Sequence, residues 1–202
     1  MKTKTLWIAA VMFFALSAGA VAQTAYTVSQ ETLDRVACCG LAEPTGAIAF
    51  TAVADTPPSV TGTITLRYNL PIANLDAHAA VIANPNLRVQ VLATDGSGSP
   101  LSPQPTWSVT NDGSNGLVVI SVPAGYVYPH TIRVSNVRVN VTGSCGVTDA
   151  AVIANASSTG NLLTIGETTS VTLVKGVAMP LKTPVVSPVA SINASNGVVT
   201  GT

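Results

Sequence analysis

Two histidines, His78 and His130, and three cysteines, Cys38, Cys39 and Cys145, are the side chains in this 202-residue sequence best suited to nucleophilic or metal chemistry. A nucleophile–base–acid set needs its base within hydrogen-bond reach of the nucleophile. The run Gly96-Ser97-Gly98-Ser99-Pro100 lacks the G-x-S-x-G spacing of a nucleophile elbow, and its alternation suits a turn. Asp76 and His78 share one face of an extended segment and could hold a metal together, but no second histidine stands near them, so polar strand-end residues are expected. A reactive thiol would need a nearby base, which the sequence does not supply. The expectation is no catalytic residue, no metal site and no cofactor, hence not an enzyme. Tyr126 and Tyr128, in the run Ala124–His130, and Trp107 are the candidate ligand-contact aromatics, because rings on a loop can stack on sugars. The same tyrosines also suit inward positions before a strand.

Cys38 and Cys39 are adjacent, and neighbouring Cα atoms lie about 3.8 Å apart, below the roughly 4.4 Å minimum of an unstrained disulfide. In an extended segment they face opposite ways, so at most one of them points towards Cys145. A bridge from Cys38 or Cys39 to Cys145 would close a loop of about 100 residues, worth about 4–5 kcal/mol on the chain-entropy argument. The remaining cysteine is either a small buried apolar residue or free for an intermolecular bridge.

The chain opens with Lys2 and Lys4, an apolar run from Leu6 to Leu16 and then Ala20-Val21-Ala22. This is the pattern of a cleaved signal peptide over residues 1–22, with Gln23 as the mature N-terminus and an oxidising, extracytoplasmic destination. Lipid attachment would need a cysteine directly after the apolar run, whereas Cys38 stands behind Glu31, Asp34 and Arg35. No later stretch holds the roughly 20 apolar residues that cross a bilayer, so no membrane span is expected after cleavage. Without Lys2 and Lys4, seven basic side chains face nine acidic ones, and the arginines stand singly rather than in the basic stripe that nucleic acid requires. Charged residues are 9% of the chain against about 25% in an ordinary soluble protein, with Thr, Ser and Asn in their place. Few charges means little repulsion between copies, which points to assembly.

Beyond residue 22 no helical period is sustained. Short Val/Ile/Thr-rich runs between Gly, Asn, Asp and Pro clusters instead predict strands over 47–54, 59–69, 87–93, 106–110, 117–122, 131–141, 150–156, 161–165 and 168–175. Ile64, Leu66, Tyr68 and Leu70 alternate with Thr63, Thr65, Arg67 and Asn69, giving one buried and one wet face. In 131–141 the apolar phase flips between Val134 and Val137, so a β-bulge is expected at Ser135-Asn136, the other solution being a crossing between sheets. Asp-Gly and Asn-Gly pairs in 94–100 and 111–116 predict turns with positive φ. Prolines 180, 184 and 188 make residues 176–202 an extended tail.

The stretch from Thr61-Gly-Thr-Ile-Thr-Leu-Arg-Tyr through Ile132-Arg-Val-Ser-Asn-Val-Arg-Val to Val152-Ile-Ala-Asn and Ser170-Val-Thr-Leu-Val resembles secreted bacterial β-sandwich modules of the cohesin-type and Ig-like kind. That resemblance implies an extracellular binding or scaffold module and carries no binding residue across. The expected fold is an all-β, two-sheet antiparallel sandwich, with residues 23–44 as an N-terminal segment and 45–175 as the sandwich. The expected function is structural or adhesive at the cell surface, through contacts with copies of itself or other surface proteins; the alternative is a carbohydrate-binding module, with glycans as partners.

Overall fold

Period-2 alternation in Gly62–Tyr68 puts Ile64, Leu66 and Tyr68 on one face, and all three are fully buried. In the computed structural model, residues 23–37, 41–75, 87–144, 150–159, 163–165, 170–178, 194–195 and 198–199 are described. The strands are β1 (Thr24–Gln30), β2 (Val36–Ala37), β3 (Glu43–Pro44), β4 (Ile48–Ala52), β5 (Gly62–Tyr68), β6 (Gln90–Asp95), β7 (Thr106–Asp112), β8 (Asn115–Val122), β9 (His130–Ser135), β10 (Arg138–Val139), β11 (Val152–Thr159), β12 (Leu163–Ile165), β13 (Ser170–Val174), β14 (Val177–Ala178), β15 (Ala194–Ser195) and β16 (Val198–Val199). One five-stranded sheet runs β12-β1-β4-β9-β6 and the other β13-β11-β5-β8-β7. Neighbours are antiparallel except β1 and β12. Tyr26, Ile48, Phe50 and Ile132 from the first sheet share one core with Leu66, Val118, Ile120 and Leu173 from the second. The protein is an all-β, two-sheet sandwich.

Each of the nine predicted runs contains a strand, but the sandwich starts earlier than residue 45. β1 lies between β12 and β4, with Val28 opposite Phe50 and Tyr26 fully buried. Its sequence, TAYTVSQ, carries only two bulky apolar residues in phase, a weak strand signal that the neighbouring strands complete.

At Ser135-Asn136 the expected bulge gives way to a departure from the sheet. β9 ends at Ser135, Asn136 turns with φ +60°, and β10 pairs with β3 instead of with β4 or β6. Asparagine tolerates that left-handed conformation better than most residues. Because the chain changes partner there, Val134 and the opposite-phase Val137, Val139 and Val141 can all be buried. Asn74 fixes the corner: its Nδ2 donates to Leu87 O (2.8 Å) and Asn136 O (2.7 Å), and its Oδ1 accepts from Arg138 N (3.0 Å).

Other side-chain amides act as substitutes for missing strand neighbours. Gln104 accepts from Ala93 N at 2.8 Å and donates to Ala93 O at 3.0 Å, on the side of β6 away from β9, where Leu101 N also donates to Ala93 O. Asn111 does the same for Ile72, and Asn69 bonds Ala151 O and Ile153 N. Such amides saturate backbone groups at strand edges and ends where the ladder stops. The segment after residue 175 is docked at its start, where β14 pairs in parallel with β2 and Val177 N donates to Ala150 O.

Candidate functional site: the loop end of the sandwich

β4, β6 and β8 run towards the same end of the sandwich, so the connections 53–61, 96–105 and 123–129 meet there. His130, the first residue of β9, is 1% exposed. Its Nδ1 lies 3.0 Å from Val127 O, a group that only accepts, so Nδ1 carries the hydrogen and Nε2 accepts from the Tyr26 hydroxyl at 2.9 Å. The rings of Tyr26 and Tyr126 both meet the imidazole edge to face, with centroids 5.4 and 5.5 Å away. Both ring nitrogens are occupied in holding the end together. The geometry gives His130 a structural part and leaves it no nitrogen for proton transfer to a ligand.

This burial sets a pH dependence. Desolvation lowers the His130 pKa from its ordinary 6.5, opposed by the hydrogen bond to Val127 O. The unfolded chain then binds a proton at a higher pH than the folded one. The contribution is complete above the unfolded value and is lost as pH falls from there through the folded value. Urea unfolding at pH 8 and pH 5 is expected to show lower stability at pH 5. His130→Gln should flatten that difference, whereas an unchanged slope in the variant would remove His130 as its source.

Ser59 ties two of the connections. Its Oγ donates to Pro123 O (2.9 Å) and accepts from Tyr126 N (2.7 Å), while its backbone bonds Tyr126 O and Gly125 N. The third connection is joined by the Tyr126 hydroxyl, which donates to Pro103 O. Asp95 organises its own turn, with Oδ1 accepting from Ser97 N, Ser97 Oγ and Ser99 N at 2.7–2.9 Å. Those bonds hold the exposed carboxyl below its usual pKa, the Ser97 side chain contributing most. Gly98 and Gly113 take the positive φ expected of these turns, 85° and 59°.

The three candidate aromatics have different surroundings. Tyr126 is inward, 3% exposed, and serves the packing. Tyr128 is 50% exposed, beside Val127 at 60%. Trp107 pairs with buried Ile120 and therefore points to the core side of edge strand β7, where it remains 39% exposed. Cys38, Cys39 and Cys145, like Asp76 and His78, lie outside the described residues. Sequence reasoning missed Ser59 and Asp95. Asp95 was open to detection, since an aspartate two and four residues before serines in a Gly-rich turn suits an Asx-type bond, whereas the part played by Ser59 depends on contacts 64 and 67 residues away.

No protein-family model, no curated protein and no solved structure matches this chain.

Proposed function

We propose that this chain is an exported structural or adhesive module that works by surface contact with copies of itself or with other surface proteins. The observation that carries this reading is the outer face of the second sheet. There Thr159, Thr63, Ser121 and Thr106 form one cross-strand row, and Ser157, Thr65, Val119 and Ser108 form the next. Short hydroxyl side chains cost little ordering entropy, and rows without charge do not repel an identical face. The charges that do lie outward are partly neutralised, as in the Arg67–Asp112, Arg133–Glu31 and Lys175–Asp34 pairs.

The proposed staple between Cys145 and Cys38 or Cys39 is supported by the residues that flank them. Val36 pairs with Val177, whose amide bonds Ala150 O, and Arg138 Nη1 donates to Ala42 O. Residues shortly before and after both cysteine segments are thus tied to one end of the sandwich, opposite the loop end. Beads coated with the mature chain test the adhesive reading. They are expected to clump, and to go on doing so at high salt; beads that stay dispersed and capture no soluble copy would overturn it.

A further inference from the structure

We propose that the loop end binds a neutral glycan, with the Tyr128 ring as the stacking face and Asp95 Oδ2 as acceptor for sugar hydroxyls. This rests on the adhesive reading and names a surface the module would hold. Three observations carry it. The end is built in advance: Ser59, Tyr126 and His130 lock its connections together, so little ordering is needed on binding. Tyr128 and Asp95 are neighbours through their loops, since Asp95 and His130 are ladder partners and Gly96 sits so close to Pro129 that an added Cβ would stand 2.4 Å from its Cγ. The turn uses only Oδ1 of Asp95 among the described residues, leaving Oδ2 to accept, with the Ser97 and Ser99 hydroxyls beside it.

Charge and area select the partner class. The connections 53–61, 96–105 and 123–129 hold one charged residue, Asp55, and with Asp95 they offer carboxylates and no cation, which disfavours anionic polymers. The large hydrophobic side chains exposed on these connections are Val127, Tyr128 and Val53, far fewer than the roughly 20–30 residues a side of a stable protein interface. One exposed ring, on the connection adjoining the turn that carries the hydroxyls and the carboxylate, is enough for one face of a sugar.

The test is retention of the mature protein on neutral polysaccharides (glucan, mannan, xylan and a polymer of N-acetylglucosamine), with a polyuronate as contrast. Retention on at least one neutral polymer, persisting at high salt, is expected. It should weaken about tenfold in Tyr128→Ala, the loss of one ring-stacking contact, and similarly in Asp95→Asn, which keeps an acceptor for the turn but replaces one carboxylate oxygen. Tyr128 is exposed, so its variant is expected to fold, and circular dichroism checks both. No retention on any neutral polymer, retention only on polyuronate, or full retention by both folded variants would overturn the proposal. Bead clumping is read separately, so failure to bind glycan and failure to self-associate are distinguishable.

Discussion

Phe50→Ala is expected to lower the free energy of unfolding by about 3–5 kcal/mol, the range for deleting a buried aromatic ring. Phe50 is fully buried at the middle of β4, with Val28 of β1 on one side and Ile132 of β9 on the other. Its ring therefore fills the space between the sheets at the centre of the first one. β4 is held on both flanks, so the site cannot collapse cheaply around the cavity. A urea titration should show the midpoint fall with little change of slope. A loss below about 1 kcal/mol would mean that the two sheets do not pack face to face at this position.

Gly46→Ala is expected to cost about 3 kcal/mol, the upper part of the range for overpacking. A Cβ built on Gly46 would lie 1.5 Å from the carbonyl oxygen of Glu31 and 2.6 Å from its carbon. Both are backbone atoms, so no side-chain rotation relieves the clash. The chain leaving β1 must then move away from the chain entering β4, which loosens the Glu31 N to Ala47 O bond (2.8 Å) and the Leu33 N to Leu173 O bond (2.9 Å) beyond it. These contacts carry the backbone from the first sheet to the edge of the second. The same titration checks the result, and a variant within about 0.5 kcal/mol of the parent would show that the crossing is not close.

Much of the sandwich was legible because strand burial repeats every second residue. Ile64, Leu66 and Tyr68 declared their face without any tertiary information, and Gly113 marked its hairpin by conformation alone. What stayed hidden depends on contacts distant in sequence. β1 is a strand because β4 and β12 complete it, and Asn136 turns the chain over because β3 waits beyond it as a partner for β10. At the loop end the sequence supplied the aromatics but not their directions. Tyr126 and Tyr128 are two residues apart, a spacing that in a strand would give them one face, yet in their loop one is inward and the other outward. His130, a candidate base by residue type, became structural only through Tyr26, which lies 104 residues earlier.

Sedimentation velocity of residues 23–202, taken from micromolar to near-millimolar concentration with and without reductant, tests the central claim most directly. Association by surface contact predicts species larger than a monomer that grow with concentration, persist when disulfides are reduced and survive high salt. A single monomeric species across the whole range would contradict self-association as the way this sandwich works.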